Sequence, residues 1–182
     1  MKLTIKNIVF PMLLVGCISS THAGDVCNIL PGLIDCGRGE VEHIKGDGAA
    51  NINGTTITGK TVFNGAFSAH NATFSSVELK GSVNFIHCTV SDLSSIKGSL
   101  VASSTKFNNR LTVYSNKVEF VNSQIAGDLY MPRTEQEEQV VVLDKHSRVK
   151  GNIVFDGRHG IVILREKSKV DGKIIGGEAR KK

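Results

Sequence analysis

A short phrase recurs along this chain and leaves few folds open to it: an apolar residue, any residue, a glycine, any residue, then alternating apolar residues. It is seen at Ile57-Thr58-Gly59, Leu79-Lys80-Gly81, Ile96-Lys97-Gly98, Ile125-Ala126-Gly127, Val149-Lys150-Gly151 and Val170-Asp171-Gly172, and an earlier copy begins at Ile44. Phe107-Asn108-Asn109 is the same phrase with asparagine, the next most tolerant residue of left-handed backbone angles, in the glycine slot. Anchored on Ile57, Phe74, Val90, Phe107, Ile125, Val149 and Val170, the steps are 17, 16, 17, 18, 24 and 21 residues. Two positions before each anchor stand Thr55, Ala72, Cys88, Thr105, Ser123, Ser147 and Ser168, all small. A small residue at a fixed offset implies a tight corner where each coil rests on the one below.

Strict alternation between the anchors predicts strands at Leu111/Val113, Val118/Phe120, Leu129/Met131, Ile153/Phe155 and Ile161/Ile163. One coil cannot bury its own apolar face, so each strand must pair with its copy one coil away. The expected fold is all-β: a single-stranded parallel β-helix, three-sided, of about seven coils of 16–24 residues. At about 4.8 Å per coil it makes a rod of roughly 30–35 Å. An aromatic share of 5%, with no tryptophan, fits a thin core of small and branched side chains.

The chain begins as an exported protein does. Lys2 and Lys6 precede an apolar stretch over 8–15 that is too short to span a bilayer and reads as a signal peptide. Two cleavage sites compete. Leu14-Val15-Gly16-Cys17 resembles a lipobox, which would remove 1–16 and leave Cys17 to carry lipid; Thr21-His22-Ala23 offers an ordinary cut after 23. No aspartate follows Cys17, so an outer-membrane lipoprotein is the expectation, with a soluble periplasmic or secreted protein as the alternative. In an oxidising compartment Cys27 and Cys36 read as a local disulfide closing the loop that holds Pro31-Gly32. Residues 17–43 then form a tether and capping loop, 44–175 the β-helix, and 176–182 a flexible basic tail.

No phosphate loop, nucleophile elbow, metal-ligand spacing or cofactor motif stands in the sequence. The polar residues Asn71, His87, Ser104, Asn122 and His146, three before successive anchors, read as a solvated turn ladder. Asp128, Asp156, Lys150 and Arg158 come nearest to the charged cluster a polysaccharide-cleaving β-helix needs, and their pattern is that of ordinary surface charge. The expectation is a non-enzyme without cofactor: a structural or binding module of the bacterial envelope. The alternatives are a surface adhesin or secreted host-interacting factor and, last, a carbohydrate-active enzyme.

The stretch 132–139 breaks the period, begins with proline and is rich in charge, so it should loop out of the wall; 156–160 makes a smaller excursion. Candidate binding residues are therefore Arg133, Glu135, Glu137 and Glu138 on the first, and Arg158 and His159 on the second. The basic end adds Arg180, Lys181 and Lys182. Residues 140–182 hold eleven Lys and Arg against five Asp and Glu, which suits anionic lipid or an acidic polysaccharide. A nucleic-acid partner does not fit an exported chain with so few aromatics, and membrane contact is expected only through the lipid anchor.

The glycine phrase, notably Lys80-Gly81, Lys97-Gly98 and Lys150-Gly151, resembles that of the bactofilins, polymer-forming bacterial β-helices, over about 44–174. That resemblance implies end-to-end self-association and brings no catalytic residues. The signal peptide, the Cys27 to Cys36 loop and the uneven coils depart from the pattern, and the loop implies a capped N-terminal end.

Overall fold

The computed structural model describes residues 26–135, 138–157 and 159–182. The signal-peptide and cleavage-site residues, Cys17, Glu137 and Arg158 lie outside them. The described chain is all strand and turn, wound into a parallel β-solenoid of about 9 turns.

Three walls follow from the pairing. In the first, Leu33–Cys36 pairs in parallel with 49–52, and the ladder passes through 66–69, 82–85 and 99–102 to Lys117–Val121, Gln139–Asp144, Gly160–Leu164 and Gly177–Lys181. The second stacks Gly39–Val41 on 55–57, then 73–74, Thr89–Val90, Lys106–Phe107, Gln124–Ile125, Arg148–Val149 and Lys169–Val170. The third stacks 44–48 on 61–65, 77–81 and 94–98, and ends at Leu111–Tyr114, Leu129–Met131, Ile153–Phe155 and Ile174–Ile175. The first wall thus starts at Leu33, before the first anchor at Ile57, and runs on to 177–181, past the last at Val170, so the seven anchors undercount the turns.

The recurring phrase is two columns rather than one. Gly59, Gly127, Gly151 and Gly172 turn the chain from the second wall to the third, in register with Asn109. Gly48, Gly65, Gly81 and Gly98 turn it from the third wall to the first, paired one above another at φ of +103 to +134°. A Cβ on any of the last three would run into the carbonyl oxygen of the glycine below. These stacked glycines let single strands such as Thr55–His70 bend around a corner without breaking.

The third corner carries the polar column. Asn71, His87, Ser104, Asn122 and His146 all take φ between +48 and +67°, so each is a left-handed turn residue. The small residue that follows each one points inward and forms a ladder. Ser123 Oγ accepts from Thr105 N at 3.0 Å and donates to Ala102 O at 2.9 Å, and Ser147 Oγ repeats this with Ser123 N and Phe120 O. A hydroxyl there satisfies the backbone inside the corner. Cys88 stands in the same column with its Sγ 3.4 Å from Ala69 O, and burial pushes its thiol up.

The core holds more aromatic surface than the composition implied, because the rings are concentrated there. Phe63, Phe67, Phe74, Phe85, Phe107 and Phe120 form a continuous stack with centroids 5.6–6.2 Å apart. Toward the C-terminus the alternation misleads. Ile161 and Ile163 mark the strand by their spacing, but Val162 pairs with Val141 in the ladder of buried Val118, so Val162 and Leu164 face the core cluster although Ile161 is buried as well. Both sides of 160–164 are apolar, and an uninterrupted apolar run cannot by itself fix which alternate set turns in.

The two ends differ. Cys27–Leu30 folds back antiparallel on Leu33–Cys36 around Pro31-Gly32, with Gly32 at φ +75° and a disulfide joining the directly opposed Cys27 and Cys36. This hairpin covers the edge of the first wall, and the small closed loop contributes roughly 2–3 kcal/mol by restricting the unfolded chain. At the other end, residues 177–181, expected as part of a flexible tail, are the last strand of the first wall. Its outer edge is unpaired among the described residues and carries Arg180 and Lys181, the charged blunting that keeps a bare edge from recruiting further strands.

Candidate functional site

Both departures from the period leave the solenoid at the same corner, where the third wall turns into the first. The larger begins after Met131 and the smaller after Phe155, one turn higher in the same ladder. The glycine column ends just before this region, at Gly98, and Ser115 and Asn116 add one residue to the next turn. Past that point the glycine stack is interrupted until Gly160 and Gly177 pair nearer the C-terminal end, and the inserted segments are accommodated in that gap.

The larger excursion is pinned. Gln139, nearly buried, donates from Nε2 to Pro132 O at 2.9 Å and to Ser115 O at 3.0 Å, tying the two ends of the insertion to the turn below. Thr134 Oγ1 donates to Asn116 Oδ1 at 2.5 Å. The segment 133–135 thereby forms one wall of an open groove of about 870 Å³, whose floor is Lys97, Gly98, Ser99, Tyr114, Ser115 and Asn116. Of the candidates read from the sequence, Arg133 and Glu135 meet here.

A second groove, of about 440 Å³, lies toward the C-terminal end of the same corner. It brings together Glu138, His159 and Arg180 with Glu178, whose carboxylate holds Arg180 at 2.6 Å. Lys181 and Lys182 do not line it. They stand exposed at the end of the chain. The candidates therefore fall into two clusters on either side of the insertion, not into one.

Sequence reasoning missed Tyr114 and Lys97. Tyr114 is 41% exposed, whereas every phenylalanine among the described residues is buried. It faces outward from the third wall directly above Lys97, which in turn pairs with Lys80 one turn below. The other tyrosine, Tyr130, is on the same face; partial burial, then a hydrogen bond and the charge of Asp156, hold its phenol above the usual range. The signal was available in the alternation, since Leu111 and Val113 point inward and therefore Thr112 and Tyr114 point out.

The first groove carries two cations, Lys97 and Arg133, and one carboxylate, Glu135. Neither Lys97 nor Arg133 takes part in an ion pair among the described residues, and Glu135 is within ion-pair distance of neither. The carboxylates weighed for catalysis are occupied elsewhere. Asp128 accepts from Asn152 N at 2.6 Å at a corner of the solenoid, and Asp156 partners Tyr130. Among the described residues no three His, Cys, Asp or Glu side chains converge as metal ligands.

No protein-family model, curated protein or solved structure matches this chain.

Proposed function

We propose that this chain is an exported, non-enzymatic β-solenoid that serves the bacterial envelope as a rigid binding module, anchored by lipid at Cys17. The observation that carries the reading is the pinned insertion at 132–139. A solenoid that only needed length would keep its period, whereas this one departs from it at a groove lined by Lys97, Arg133 and Glu135 with the exposed ring of Tyr114. The Cys27 to Cys36 disulfide supports export, because such a bond persists in oxidising compartments.

The glycine phrase that resembles the bactofilins divides here between two corners, and stacking alone requires it at both. It speaks for architecture and not for a shared activity. The capped first edge and the charged last edge both favour a module that ends rather than one that polymerises.

The test is retention on isolated envelopes by a soluble form of the chain that begins at Gly24. Replacing 133–138 by a short glycine linker should leave the melting transition close to that of the parent and abolish co-sedimentation. Co-sedimentation that survives this replacement would remove the insertion from the binding surface and sink the reading. If the shortened chain melts early, Arg133→Ser in the intact insertion gives the same comparison.

A further inference from the structure

The third wall presents a line of side chains in strict register. Lys80, Lys97 and Tyr114 occupy successive turns at the same outward position, and Arg133 stands beyond Tyr114 on the insertion. Neighbouring turns are about 4.8 Å apart, so the line from Lys97 to Arg133 spans about 10 Å along the solenoid axis. Ser99, Ser115 and Asn116 line the groove beside it with hydrogen-bonding groups.

We infer that this groove binds an acidic polysaccharide, a chain of sugars bearing carboxylates, lying along the solenoid axis with one ring on Tyr114. The proposal rests on the binding reading above and names its ligand. Three properties of the site select this chemistry. An exposed aromatic face takes the C–H face of a pyranose ring, which is apolar and slightly positive, while the ring hydroxyls reach the polar groups beside it. The cations are strung along the axis rather than gathered, Lys97 one turn from Lys80 and Arg133 about two turns further on past Tyr114, with Glu135 the one carboxylate in the lining; this suits single charges spread along a polymer better than one compact, doubly charged phosphate. Arg133 offers a planar fork that matches a carboxylate, and Lys97 a point charge that follows the chain as it passes.

The phenol of Tyr114 makes no hydrogen bond among the described residues, so its exposure is not explained by a structural duty. Lys97 is likewise unpaired, while Lys60, in the same solenoid, is paired with Glu78. The track is thus made of groups that the fold itself does not use.

The experiment is calorimetric titration of the soluble chain with polygalacturonate, neutral dextran and dextran sulfate. Polygalacturonate should bind and dextran should not. Tyr114→Ala and Arg133→Gln should each weaken binding about tenfold, the scale expected for losing one stacked ring or one carboxylate contact. Tyr114→Phe should retain it, because the ring and not the hydroxyl is used. Lys181→Gln with Lys182→Gln, at the far end, should leave it unchanged.

Binding that ignores Tyr114 and instead falls with Lys181 and Lys182 would overturn the groove as the site and leave only general attraction to the basic end. A preference for dextran sulfate that survives Tyr114→Ala would overturn the carboxylate assignment. Absence of any polygalacturonate binding, with envelope retention still dependent on 133–138, would overturn the acidic polysaccharide while the binding module stands. Loss of both would remove the two readings together.

Discussion

Gly65→Val should destabilise the solenoid by at least about 3 kcal/mol, the sum of a strained backbone and a blocked stack. Gly65 sits at φ +134° in the corner column, paired with Gly48 on one side and Gly81 on the other. A β-branched side chain resists that backbone angle, and its Cβ would meet the Gly48 carbonyl oxygen with no flexible atom to give way. The neighbouring Lys80 faces outward, and Lys80→Ala should stay within about 0.5 kcal/mol, as surface changes usually do. For a chain of this size the Gly65→Val loss corresponds to a melting temperature lower by about 6–12 °C. Thermal unfolding followed by circular dichroism reads the difference. Equal melting of Gly65→Val and the parent would mean that the corners are not stacked in this register.

Phe85→Ala should cost about 3–5 kcal/mol, the range for truncating a fully buried ring where the surroundings cannot collapse. Phe85 is 0% exposed and touches three other rings, with centroids at 6.0 Å from Phe67, 5.6 Å from Phe74 and 6.0 Å from Phe107. Those neighbours are held by their own walls, so the vacated volume stays open. A solenoid spreads damage along its axis, each turn leaning on the next. Hydrogen exchange should therefore show the greatest loss of protection in the turns on either side of 85 and least at the disulfide-capped end. A loss spread evenly over all turns, or confined to the C-terminal strands, would contradict the ring stack as the centre of stability.

The architecture was legible because stacking imposes the same requirement once per turn. The anchors, the small residues before them and the excursions at 132–139 and 156–160 all appear in the sequence at the places where the structure uses them. What could not be read was the difference between residues that look alike on one line. Gly59 and Gly81 occupy similar phrases and serve different corners. His87 and Asn122 were legible as a solvated turn ladder, but not the left-handed backbone angle that each of them takes there. Ile161 to Leu164 are apolar in succession, so no periodicity chooses between their faces.

The site was legible in part. Charge and the broken period singled out Arg133 and Glu135, because an insertion announces itself in the spacing. Tyr114 and Lys97 stayed hidden because they obey the repeat. Their significance lies in standing next to a segment nineteen residues further along the chain from Tyr114 to Arg133, a neighbourhood that only the stacking of turns creates. The split of the remaining candidates follows from the same cause: Glu138 and His159 share a groove with Arg180, two turns from the first and one from the second, while Lys181 and Lys182 run past it.

The central claim is that this solenoid works outside the cytoplasm, held in the envelope. It is tested most directly by the intact mass of the mature chain, with membrane and soluble fractions of cells measured separately and thiols trapped before lysis. The account expects the chain in the membrane fraction, beginning at a lipid-modified Cys17, with Cys27 and Cys36 oxidised and Cys88 free. A soluble chain beginning at Gly24 with the same disulfide would keep the export and remove the anchor. A full-length chain retaining Met1 in the soluble fraction, with all four cysteines reduced, would contradict the account.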